Sequence, residues 1–70
     1  MDEQLRLAQH LGDAQGTLIA TANRGELLGL LGRVPEALEA LTWARQTAAQ
    51  YGLTPMAQQL DAMIAALRRG

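Results

Sequence analysis

Cysteine is absent from this chain, and so are serine, lysine and phenylalanine. Without cysteine there is no disulfide framework, no thiol nucleophile and no thiolate metal site, and the redox compartment is left open. The lack of serine removes a second common nucleophile. Threonine and tyrosine remain, but nothing in the sequence marks either as activated. No apolar run of about 18 residues occurs and no basic-then-apolar start, so neither a membrane span nor a signal peptide is expected. The net charge of −1 argues against a nucleic-acid or membrane surface that works by bulk charge. Localisation is therefore expected to be cytoplasmic, with no nucleic-acid and no membrane partner.

Among the residues present, alanine and leucine dominate a hydrophobic fraction of 49%, beside one tryptophan and one tyrosine. Both are strong helix formers. Seventy residues make one small domain, residues 1–70. A chain of this size recovers only roughly 60% of its unfolded surface on folding. An all-α protein of thin, closely approaching helices is expected.

The chain divides at its glycines. Asp2 and Glu3 suit a helix N-terminus, and Leu5, Ala8 and Leu11 share a face with Leu7 beside it, up to a stop at Gly12. Asp13 is the next N-cap candidate. Leu18, Ala22, Gly25, Leu28 and Leu31 follow at helical spacing, widened by Ile19 and Leu27, until Gly32. Pro35 suits a helix start and Glu36 adds favourable first-turn charge. Val34, Ala37, Leu38, Leu41, Ala44, Ala48 and Tyr51 form the next inner stripe, with Ala40, Trp43 and Thr47 on another face. After Gly52, Thr54 and Pro55 repeat the start signal, and Met56, Leu60, Met63, Ile64 and Leu67 make the cleanest amphipathic stripe. Four helices near 2–11, 13–31, 34–51 and 55–69 are expected, joined by links short enough to force antiparallel neighbours.

Gly16, Gly25 and Gly29 fall inside a helical pattern, where each costs about 1 kcal/mol against alanine. A phosphate-cradling loop would place its glycines after a strand and at a helix start. These sit within a leucine stripe, so close helix packing is the reading adopted for all three.

The stretch Gly32-Arg33-Val34-Pro35-Glu36-Ala37-Leu38, with its flanks, resembles a tetratricopeptide repeat (TPR) of the longer-period subtype. About one and a half to two repeats are covered. Gly25 stands where that family has a small residue in its first helix, and Leu28 where an aromatic follows. Gly32 matches the small residue of the interhelix turn, and Val34 takes the place of the turn aromatic. Ala37 and Ala44 match the small positions of the second helix, and Leu41 stands where an aromatic is usual. Arg24, Thr21 and Ala49 depart from the family's leucine, large residue and proline. The resemblance implies antiparallel helical hairpins in a superhelix fragment, and a scaffold or adaptor that holds a protein or peptide on its first helices. Groove candidates would then be Thr17, Asn23 and Arg24. Repeat units bury their apolar faces on neighbours, so a short array implies either a piece of a longer array or self-association, a dimer first.

No catalytic, cofactor or metal constellation emerges. His10 lacks ligand or nucleophile companions. Glu36 and Glu39 share a helix face, but the first-turn dipole role explains them. Arg68 and Arg69 complement a helix C-terminus. A helix-turn-helix DNA reader is an alternative, yet residues 34–51 offer it only Arg45 with Thr42, Gln46 and Gln50. Trp43 has two readings. It is either a large aromatic covered by the first or last helix, or an anchor for a partner or second copy.

Overall fold

Gly32 and Gly52 set the architecture. In the computed structural model, which describes residues 2–69 and side chains over 12–69, both have positive φ, 79° and 72°. Left-handed backbone is open to glycine at no steric cost and lets a helix reverse. Around each, the same closure forms. Arg33 N–H donates to Leu28 C=O at 2.9 Å and Gly32 N–H to Gly29 C=O at 3.1 Å. Leu53 N–H donates to Ala48 C=O at 2.9 Å and Gly52 N–H to Ala49 C=O at 3.1 Å. These are Schellman motifs, which satisfy carbonyls that a helix end otherwise leaves free. The next residue but one begins a new helix, with Pro35 or Pro55 in its first turn, where a missing N–H is harmless.

Three helices result: α1 (Asp2–Leu30), α2 (Val34–Gln50) and α3 (Thr54–Arg69), with no strand among the described residues. The all-α class is as the sequence indicates, but the expected break at Gly12 and Asp13 is absent. Helix α1 runs unbroken for 29 residues. The physical reason is that a glycine weakens a helix by about 1 kcal/mol without ending it. Termination needs the left-handed turn that Gly32 and Gly52 adopt and Gly12 does not. Thr54 likewise lies inside α3 as its first residue, not before it as a cap.

Helix α2 is the middle element, packed along both neighbours, while α1 and α3 meet over a shorter stretch. Its inner face is built from Ala37, Leu41, Ala44 and Ala48, all fully buried. Three alanines keep this face flat, so both neighbours approach closely. Leu18 from α1 and Leu60 and Ile64 from α3 complete the core, with Leu38, Met56, Met63 and Leu67 packed around it. Burying a leucine contributes about 2 kcal/mol, so Leu18, Leu41 and Leu60 are the main apolar anchors.

The internal glycines divide. A Cβ on Gly25 would lie 2.7 Å from Leu41 Cδ2 and 2.8 Å from its Cγ, and one on Gly29 would lie 2.9 Å from Leu67 Cδ2. Both admit a leucine from a neighbouring helix. Gly16 faces open space, so close packing does not explain it. The apolar stripe of α1 is also narrower than expected. Ile19, Leu27 and Leu31 are exposed, and Tyr51 is not part of the α2 core. Leu27 lies nine residues from Leu18, on the opposite side of a 3.6-residue helix, where no described element covers it.

Candidate functional site

The most distinctive surface is the face of the α1–α2 pair that α3 does not touch. Trp43 stands at its centre and is 49% exposed. On α2 and at its end the residues one or two turns from it, Glu36, Glu39, Ala40, Thr47 and Tyr51, lie along this face. On α1 the matching run is Thr17, Thr21, Arg24 and Leu28. Two depressions flank the indole. One, of about 540 Å³, is walled by Thr21, Arg24, Leu28, Glu36, Glu39 and Ala40. The other, of about 250 Å³, is walled by Asp13, Ala14, Thr17, Leu18, Thr47 and Tyr51.

The polar groups of this face are unevenly committed. Thr21 Oγ1 donates to the Thr17 carbonyl at 2.8 Å, and Thr47 Oγ1 to the Trp43 carbonyl at 2.9 Å. Both hydroxyl hydrogens are thereby committed to their own helices, while the oxygens still accept. Arg33 pairs with Glu36 across one turn, Nη2 to Oε1 at 2.9 Å. Arg24 and Glu39 form no ion pair among the described residues, and both are exposed.

Three of the four residues expected at a binding surface therefore lie together: Thr17, Arg24 and Trp43. Asn23 does not. It lies on the other flank of α1, beside Met56, Gln59 and Met63 of α3. Asn23 and Arg24 are neighbours in sequence, but one step is about 100° around the helix. Trp43 is not covered by a first or last helix as a core aromatic would be. Glu39, Thr21 and Tyr51 belong to the same face and were not among the candidates. The spacing 36–39–43–47–51 on α2 is the signal that points to them.

The residues of the packing pattern occupy the interhelix contact. Gly25, Leu28, Ala37, Leu41 and Ala44 are buried, Val34 is half-buried, and Gly32 makes the turn. A second, more apolar cleft of about 430 Å³ lies between α1 and α3, lined by Gly29, Leu30, Met63, Ala66 and Leu67. Leu30 there is 80% exposed.

Arg45 is engaged by Asp61 of α3 in an ion pair. Among the described residues, no group of three or more His, Cys, Asp or Glu could hold a metal ion. The His10 side chain lies outside the described residues. No helix among them is long and apolar enough to cross a membrane. No family model matches the chain, and neither does any curated protein or any solved structure, so its functional reading rests on its own residues.

Proposed function

We propose that this chain is a non-enzymatic protein–protein interaction module, a cytoplasmic scaffold or adaptor of tetratricopeptide type that associates with itself. The observation that carries the reading is Trp43, half in water between two depressions. Tryptophan is enriched among the residues that dominate binding energy, because a rigid aromatic desolvates a large area at little entropic cost. A small domain that leaves its single tryptophan outside the core forgoes stability that the same side chain would supply if covered. The repeat reading draws support from the hairpin turn at Gly32 and from Leu41 seated against Gly25.

The test is sedimentation equilibrium across a concentration series, with Trp43→Ala beside the wild type. The wild type should gain apparent mass with concentration and the variant should not. A strict monomer at the highest concentration would remove self-association from the proposal.

A second reading is a small structural oligomer, natural or engineered, whose repeat faces close on each other. It is favoured by apolar surface on two separate faces, at Trp43 and at the Leu30–Met63 cleft. Two different contacts on one molecule permit growth beyond a dimer, so light scattering that rises without a plateau would select it. The DNA-reader alternative is the weakest, because Arg45, the one basic residue of α2, is paired with Asp61. A gel shift at low salt would revive it.

A further inference from the structure

We propose that the occupant of the Trp43 face is a second copy of this chain, docked about a two-fold axis that lies between Arg24 and Glu39. This rests on the self-associating module reading and names its contact surface. Each copy would set its Trp43 into the depression walled by Thr21, Leu28 and Ala40 of the other, and each Arg24 would meet the Glu39 of the opposite copy.

Two observations select this occupant. The first is hydrogen-bonding capacity. An extended peptide brings unpaired backbone groups that a binding face must satisfy. Here the Thr21 and Thr47 hydroxyls have given their hydrogens to their own helices, at 2.8 and 2.9 Å, so neither donates to a peptide carbonyl. The backbone beneath is helical and already bonded. A helix, whose backbone needs nothing from its neighbour, is the form that fits. This chain presents helices on every described face.

The second is charge. Arg24 on α1 and Glu39 on α2 line one depression, carry opposite signs, and have no ion-pair partner among the described residues. Glu36, the other acid there, is held by Arg33 at 2.9 Å. A depression with one unpaired cation and one unpaired anion among the described residues is complementary to itself, the remaining acid of the face, Asp13, lining the other depression. A two-fold axis between them lays each over its opposite, and an isologous contact makes the pair twice. The larger depression, about 540 Å³, has room for an indole. A uniformly charged peptide would leave one of the two ions facing its own sign.

The experiment uses the full chain and two charge reversals, Arg24→Glu and Glu39→Arg, followed by sedimentation velocity. Both positions are exposed on helices, and far-ultraviolet circular dichroism verifies that each variant keeps its helix content. Alone, each variant sets like charges opposite each other in the dimer, and its dissociation constant should rise tenfold or more. Mixed one to one, the two variants restore both pairs. The acid introduced at position 24 of one faces the base introduced at position 39 of the other, and the native Glu39 and Arg24 that remain face each other. A heterodimer of near wild-type affinity should therefore form. An ion pair within one chain would give no rescue on mixing.

Three results would overturn the proposal. If the wild type dimerises and neither reversal weakens it, self-association stands and the contact lies elsewhere, with the Leu30–Met63 cleft next in line. Two weakened variants that fail to rescue each other would show that Arg24 and Glu39 do not meet across the axis. A wild type that stays monomeric overturns both this docking mode and the self-association beneath it. The wild type also supplies a direct readout: Trp43 emission should shift to the blue over the same concentrations at which the mass rises.

Discussion

Gly16 and Gly25 sit nine residues apart on one helix, and their surroundings predict opposite outcomes for the same substitution. At Gly16 an added methyl meets nothing within 4 Å. Gly16→Ala should stabilise the domain by about 1 kcal/mol through helix propensity alone. In a domain of this size that is a rise in Tm of roughly 5 °C. At Gly25 the methyl would come within 2.7 Å of Leu41 Cδ2 and 2.8 Å of its Cγ, so the whole branched end of a fully buried leucine must shift. Overpacking costs about 1–3 kcal/mol and outweighs the propensity gain, so Gly25→Ala should lower Tm. Equal shifts at the two sites would mean that Leu41 is not seated against Gly25. Leu41→Ala should cost about 3 kcal/mol. In that background Gly25→Ala should become harmless or favourable, which is the coupling expected of residues in contact. Thermal melts of the four proteins of this cycle decide it. Trp43→Ala should destabilise dilute protein by about 2 kcal/mol, since half of the indole is still buried against its own chain.

At the scale of the helices, the turns carry the sharpest expectation. Gly32 has φ of 79°, a conformation that costs an L-residue about 1–2 kcal/mol. Gly32→Ala should therefore lower the urea midpoint, while Gly12→Ala, on a helix interior with open space around it, should raise it. The same exchange with opposite sign would distinguish a helix terminator from a helix interior. Much of this was legible in the sequence. The hairpin turn, the stripes of α2 and α3 and the basic end at Arg68 and Arg69 all follow from local spacing and charge. The break expected at Gly12 did not occur, and a local cue separates it from the real ones. Gly32 and Gly52 are each followed three residues later by proline, at Pro35 and Pro55, whereas Gly12 is followed by Gln15. Proline cannot extend the preceding helix and suits a new first turn. Glycine alone leaves the helix free to continue when its neighbours favour it.

For the whole molecule, the consequence of a thin three-helix layer is that two faces stay open. One carries Trp43, Arg24 and Glu39, the other Leu30, Met63 and Leu67. Helix α1 at 29 residues is about 43 Å long against about 25 Å for the 17 residues of α2. This agrees with extents of 48 × 18 × 13 Å. An elongated slab has much surface for its volume, so association would stabilise it by an amount that grows with the logarithm of concentration. The expected outcome is a Tm that rises with protein concentration in the wild type and stays level in Trp43→Ala. Scanning calorimetry at two concentrations tenfold apart would show it, and a Tm independent of concentration would count against association at that face.

Composition and spacing by themselves determined that the chain is helical, that it reverses at Gly32 and Gly52, and that Ala37, Leu41, Ala44, Leu60 and Ile64 face inward. These depend on forces that act within a few residues: propensity, the left-handed glycine turn and the 3.6-residue repeat. Only the tertiary structure decided which flank of α1 is covered. Periodicity fixes the angle of a residue on its own helix, but not where a neighbouring helix crosses. Leu27 and Leu31 are as apolar as Leu18 and Leu28 and yet lie in water. Asn23 and Arg24 are adjacent in sequence and belong to different faces, because α3 occupies one side of α1 and leaves the other to Trp43.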